Sequence, residues 1–182
     1  EIIAEMNIQE PTFSPDGEKI AYVYKNNIYI KNLISKETIQ VTTDGENNKI
    51  INGITDWVYE EEFSFLRAFE WNMASNKLAY IRFDETEVPE FSMDVYEDGL
   101  YPSKQTFKYP KAGEKNSLVS LHFYDLVKKE KFQIDLKSFE QYYIPRIQWT
   151  QEAEQLVITT INRHQNNLNL ISFLADKNET SL

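Results

Sequence analysis

Three times along the chain an aromatic residue is followed, seven and nine positions later, by apolar residues: Phe13 by Ile20 and Tyr22, Trp71 by Leu78 and Tyr80, Trp149 by Leu156 and Ile158. The intervening stretches, SPDGEK, NMASNK and TQEAEQ, are polar. This pattern predicts a strand, a turn and a second strand in each unit. Pro15-Asp16-Gly17 supplies the chemistry of the first turn, because proline presets φ and glycine accepts the left-handed conformation. Further strands are predicted over residues 27–33, 117–126, 131–136 and 168–174; alternation is clearest where Phe132, Ile134 and Leu136 are separated by Gln133 and Asp135. No stretch carries the periodicity of a long helix.

Antiparallel strands recurring in units of this size predict β-propeller blades, which take roughly 40 to 50 residues each. The leading aromatics lie 58 and then 78 residues apart, so the second interval carries an insertion, placed at residues 85–115. Residues 84–98 hold seven acids and no Lys or Arg, whereas Lys104, Lys108, Lys111 and Lys115 follow. Halves of opposite charge can fold back on each other or pair with a second copy; a solvated loop is the plainer alternative. The expected fold is all-β, a partial propeller of roughly three to four antiparallel blades within residues 1–182. Closed propellers use about 4 to 8 blades. The chain is therefore expected to be a piece of a larger propeller, whose open edges pair with another copy in isolation.

Composition narrows the function. With 41% hydrophobic and 14% aromatic residues the chain is built to fold rather than to remain an acidic tail. A net charge of −10 repels nucleic acid and anionic membranes and favours cationic ligands. The longest apolar run, residues 170–175, is far shorter than the 18 or so residues of a membrane span. There is no cysteine, hence no disulfide, thiol nucleophile or cysteine zinc site. Because the chain opens on Glu1 without a basic-then-apolar leader, it is expected to be cut from something longer or processed.

Glycines stand at 17, 45, 53, 99 and 113, a spacing that excludes the nucleophile elbow, the dinucleotide loop and the Walker A loop. Neither His122 nor His164 begins a zinc motif. His122 is expected on the polar face of its strand, opposite Val119, Leu121 and Phe123, and His164 in an Asn-rich turn. Asn178-Glu179-Thr180 matches a glycosylation acceptor, a common chance occurrence. No cofactor or metal is expected.

The conspicuous chemistry is DWVYEEEF, residues 56–63, where Glu60, Glu61 and Glu62 stand among Trp57, Tyr59 and Phe63. Asp56 can cap a short helix over residues 57–63, although Tyr59 at the third helical position leaves the capping box incomplete. On a helix, neighbouring residues lie about 100° apart, so two carboxylates can converge on one cation; on a strand they face opposite sides. A primary ammonium, with three donors, suits such a pair. A solvated acidic first turn and a calcium site are the alternatives, the latter lacking the alternate-residue acids of an EF-hand loop.

The stretch Asn52-Gly53-Ile54-Thr55-Asp56-Trp57-Val58-Tyr59-Glu60-Glu61-Glu62 resembles the signature of the dipeptidyl peptidase IV family, serine exopeptidases related to prolyl oligopeptidase. Asp84-Glu85-Thr86-Glu87-Val88-Pro89 and Tyr109-Pro110-Lys111-Ala112-Gly113 are similar to further family segments in the same order. Upstream, Ser14-Pro15-Asp16-Gly17-Glu18-Lys19-Ile20-Ala21-Tyr22 and Asn27-Ile28-Tyr29-Ile30 also fit. The resemblance implies an eight-bladed propeller capping an α/β-hydrolase domain, in enzymes that remove X-Pro or X-Ala dipeptides from free N-termini. It implies that Glu61 and Glu62 clamp the substrate α-ammonium while Glu60 is structural.

By the same resemblance the insertion is an extended arm, with residues 90–113 contacting a partner in a homodimer. The catalytic triad and oxyanion tyrosine belong to the hydrolase domain, which has no counterpart in these residues. The propeller arginine that binds the substrate carbonyl is expected upstream of Glu1, and the chain alone is expected to be inactive. Family kinship implies a periplasmic, extracellular or cell-surface location, and the absence of cysteine fits a bacterial periplasm. The competing reading is a non-catalytic propeller, a protein-binding module of a pseudoenzyme relative.

Overall fold

A computed structural model describes residues 7–136, 142–152 and 154–181; Glu1, and Ala153 of the third predicted turn, lie outside them. The spacing of seven that marks the three units is a cross-strand pair. Phe13 faces Ile20, Trp71 faces Leu78 and Trp149 faces Leu156 in antiparallel register. Each turn is closed by the same backbone bond, from Ser14 N to Lys19 O (2.9 Å), Asn72 N to Lys77 O (3.0 Å) and Thr150 N to Gln155 O (2.9 Å). Just beyond the third strand of each unit, the N–H of Leu33, Leu126 or Ala175 donates back to the turn carbonyl of Glu18, Asn76 or Glu154.

These units nucleate three blades. In the first, β1 (Gln9–Phe13), β2 (Lys19–Tyr24), β3 (Asn27–Asn32) and β4 (Thr38–Gln40) lie in chain order. The third has the same order in β12 (Tyr142–Trp149), β13 (Gln155–Asn162), β14 (Leu168–Leu174) and β15 (Glu179–Ser181).

The middle blade departs from this plan. On one edge of β7 (Lys77–Asp84) lie β10 (Leu118–Asp125) and then β11 (Glu130–Ile134). The other edge is shared by β6 (Phe69–Trp71), which pairs with Leu78–Tyr80, and β5 (Ile50–Asn52), which pairs with Arg82–Asp84. Between β5 and β6 runs the helix α1 (Trp57–Phe63).

The tryptophan indoles stitch blade to blade. Trp71 Nε1 donates to Thr12 O (3.3 Å) and Trp149 Nε1 to Glu70 O (3.0 Å), in each case the residue before the equivalent aromatic one blade earlier. Both tryptophans are 7% exposed, whereas Phe13, which has no N–H to donate, is 56% exposed. One apolar cluster joins the first and second blades through Val23, Ile28, Leu78 and Tyr80; the other joins the second and third through Phe83, Phe123, Leu156 and Phe173. Each fully buried Phe or Leu contributes about 1.5–3 kcal/mol of transfer free energy. The middle blade is covered on both faces, so β7 reads as a continuous buried run rather than an alternation.

His122 does lie opposite Leu121 and Phe123, but its face is packed too. The ring stacks on Tyr80 at 5.4 Å and shares a 2.9 Å hydrogen bond with Ser120 Oγ. Burial, and then the charge of Arg82, push its pKa down to about 4. His164 sits exposed in the turn between β13 and β14.

The insertion folds back on itself. β8 (Glu90–Val95) and β9 (Ser103–Lys108) form a hairpin in which Glu90 faces Lys108 and Asp94 faces Lys104, so the charge asymmetry is resolved across the strands. No helix of the described residues is long and apolar enough to cross a membrane.

Candidate functional site

The helix α1 lies where the edge strand of the middle blade is interrupted between β5 and β6. At Gly53 the chain leaves the sheet and at Ala68 it returns, and the junction is closed by three backbone bonds. Gly53 N donates to Ile81 O (3.1 Å), Ile81 N to Ala68 O (2.9 Å) and Ala68 N to Gly53 O (2.9 Å). Only glycine meets both demands there: φ is +77°, and an added Cβ would lie 2.7 Å from Ile28 Cγ1. A second tie, from Thr55 N to Leu66 O (3.0 Å), keeps the excursion narrow.

Asp56 caps α1 as its residue type requires, accepting from Tyr59 N at 3.0 Å. Its other oxygen accepts from Ser117 Oγ at 2.5 Å, which fastens the helix start to the chain leaving the arm. Asp56 is buried, and burial raises its pKa against the opposing pull of these bonds. Glu85, at the point where the arm departs from β7, is 6% exposed, and its pKa is raised to about 7 by burial and then by the charge of Asp56, against the pull of Lys108.

The middle of the helix is pinned by Tyr59. Its ring makes edge contacts with Phe63, Phe65, Phe83 and Tyr143, and its hydroxyl accepts the backbone N–H of Ile144 at 2.9 Å. That N–H is spare because β12 bulges between Tyr143 and Arg146. At the far end, Arg146 Nη2 donates to the carbonyl of Phe63 (2.9 Å), satisfying an end that closes in a left-handed Ser64.

The braced helix presents Glu60, Glu61 and Glu62, all exposed. Neither Glu61 nor Glu62 has a hydrogen bond or ion pair among the described residues. Glu62 lines a cleft of about 470 Å3 whose walls include Trp57, Tyr109, Tyr143, Lys111 and Arg163. Glu61 stands next to it on the helix, outside that wall. Adjacent on a helix, the two carboxylates are separated by a rotation of about 100° and not by a sheet. An arrangement of this kind can accept hydrogen bonds from a small cation with several donors.

Asp56 as cap and the helix over residues 57–63 were legible in the sequence. The bonds from Ser117, Ile144 and Arg146 were not, since the partners are 61 to 85 residues apart. Gly53, three residues upstream of the cap, was the one local signal of a backbone break.

A helix let into the edge strand of a blade, within a row of blades joined through tryptophans, defines a β-propeller region built to present one short segment. A family profile describing the dipeptidyl peptidase IV N-terminal region matches residues 2–182. The chain belongs to this family. It is 43% identical over 142 residues to a probable dipeptidyl-aminopeptidase B of Trichophyton verrucosum, covering 71% of this chain and 16% of the relative. It is 36% identical over 166 residues to the prolyl endopeptidase FAP of Bos taurus, covering 87% and 22%. The crystal structure of Porphyromonas gingivalis dipeptidyl peptidase 4 superposes with a TM-score of 0.95 at 43% identity, covering 100% of this chain and 26% of that one. The chain thus spans about a sixth to a quarter of the length of these relatives.

Proposed function

We propose that this chain is the substrate-gating part of the propeller of a serine dipeptidyl peptidase that releases X-Pro or X-Ala dipeptides from free N-termini. The hydrolase chemistry belongs to an α/β-hydrolase domain elsewhere in the full-length protein. Glu61 and Glu62 bind the substrate α-ammonium. The observation that carries this reading is the pair of adjacent carboxylates, without partners among the described residues, on a helix braced at its cap, its middle and its end.

The chemistry follows from charge and count. An α-ammonium offers three donors and cannot extend further along a chain, so fixing it sets the distance from the chain end to the scissile bond. Before substrate arrives the two carboxylates repel each other in water; the ammonium replaces that repulsion with two charge-assisted bonds, each worth about 1.5–3 kcal/mol. An acetylated terminus has neither the charge nor the donors. The exposed arm hairpin is assigned to contact with a second copy, and the enzyme to a place outside the cytoplasm.

In the full-length protein, Glu61→Ala and Glu62→Ala are each expected to lower kcat/KM on a free X-Pro substrate by about 10- to 100-fold, the order of one charge-assisted bond. Full turnover by both variants would remove the assignment.

A further inference from the structure

We propose that the junction where the arm leaves β7 is a proton-operated latch on helix α1: with Glu85 protonated it holds the start of the helix, and with Glu85 ionised it lets go and weakens the grip on a substrate ammonium. The consequence for substrate rests on the ammonium reading above; the latch itself does not.

Both legs of the arm meet the helix start at this junction. The departing leg begins at Glu85, whose N–H donates to Lys49 O (2.8 Å) and whose carbonyl accepts from Val88 N (3.0 Å). The returning leg carries Tyr109, packed on Trp57 at 4.2 Å, and Ser117, which donates to Asp56. The legs are tied to each other by bonds from Tyr109 N to Pro89 O (3.0 Å) and from Lys108 Nζ to Val88 O (2.9 Å). A displacement at Glu85 therefore passes through Val88 and Pro89 to Tyr109, and so to Trp57, the first residue of α1.

The side chain of Glu85 is the unsettled member of the junction. Glu85 and Asp56 are each 6% exposed. Asp56 accepts from Tyr59 N and Ser117 Oγ, as a carboxylate does, whereas the carboxyl of Glu85 has no hydrogen bond or ion pair among the described residues. A charge buried without partners is costly, so of the two acids it is Glu85 that keeps a proton.

The charged groups acting on Glu85 are Asp56 from the helix cap, Lys108 from β9 and Asp84 from β7. Lys108 does not neutralise it, because its Nζ is bound to Val88 O and lies 3.6 Å from Glu90. Lys49 and Lys115, on the neighbouring segments, pair with Glu46 (2.5 Å) and Glu87 (2.8 Å) instead. Burial, and then the charge of Asp56, raise the Glu85 pKa to about 7, which sets the latch to work near neutral pH. Once ionised, Glu85 lowers its energy by moving towards water and away from Asp56, and it takes the departing leg with it. The helix start then loosens while the ties at Tyr59 and Arg146 remain.

The test compares full-length wild type with Glu85→Gln, a neutral isostere, at pH 5.5 and pH 8.5. Hydrogen exchange of residues 56–63, corrected for the intrinsic rate at each pH, reads the latch. Wild-type protection is expected to fall by about fivefold or more between the two conditions, the lower end of typical couplings between sites, while that of Glu85→Gln stays level. The ratio of kcat/KM between wild type and variant on free Gly-Pro anilide cancels the titration of the substrate amine and of the hydrolase groups. It is expected to be close to unity at pH 5.5 and to fall by a similar factor at pH 8.5, through KM. Wild-type protection that does not change with pH overturns the latch without depending on the variant's folding; an equal loss in Glu85→Gln overturns it as well. If protection falls in wild type alone while the kcat/KM ratio stays level, the latch stands, and the ammonium reading falls together with the consequence drawn from it.

Discussion

Gly53 and Glu85 are the two residues whose surroundings say most about how the site is held. At Gly53 a side chain would have to adopt φ of +77° and press on Ile28 at 2.7 Å. Gly53→Ala is therefore expected to destabilise the protein by about 2–4 kcal/mol, combining backbone strain with overpacking, as read from urea unfolding. Glu85 acts through protonation. Its folded pKa, about 7, lies above its ordinary 4.5, so the folded state holds the proton more tightly than the unfolded one. Stability is then present below pH 4.5, falls as pH rises towards 7, and stays lower above it. Glu85→Gln removes that loss, and its melting temperature is expected to exceed wild type at pH 8, by the equivalent of roughly 1–3 kcal/mol, while matching it at pH 5. A variant that melts below wild type at pH 8 would contradict this.

At the scale of elements, the strand-turn-strand units were legible because their information is local. A seven-residue step fixes a cross-strand pair through the turn alone, and the three turns close with the same backbone bond. The insertion was legible for a related reason, since its acids and lysines come to face one another in β8 and β9. The interruption of the edge strand was not, because β5 is only three residues and an excursion holding a helix separates it from β6. His122 shows the same limit: alternation gave its face, but nothing local told that a neighbouring blade would cover that face. Tyr59 is the element-scale hinge of the site. Tyr59→Phe keeps the ring and leaves the Ile144 N–H without its acceptor, an expected cost of about 1–3 kcal/mol. The same variant is expected to raise KM for free X-Pro substrates more than it lowers kcat, because it loosens the helix rather than the chemistry. A variant with wild-type stability and KM would show that α1 is held by other means.

Across the whole molecule the three blades share two covered interfaces and leave two open outer sides. Leu168 and Leu170, 57% and 59% exposed, share one face of β14, and Phe13, 56% exposed, stands on the first blade. Apolar surface of this kind is normally covered. Residues 1–182 expressed alone are expected to self-associate, with a mass by light scattering above the 21.5 kDa of one chain and with binding of a hydrophobic dye. A monodisperse monomer that binds no dye would contradict this.

The most direct test removes charge at the site and keeps its shape. The Glu61→Gln, Glu62→Gln variant of the full-length protein would be compared with wild type on an X-Pro substrate and on its analogue lacking the α-amino group. Wild type is expected to favour the amine by at least about 100-fold, the order of two charge-assisted bonds, and the variant to lose nearly all of that preference. An equal preference in both proteins would place the ammonium somewhere other than this helix.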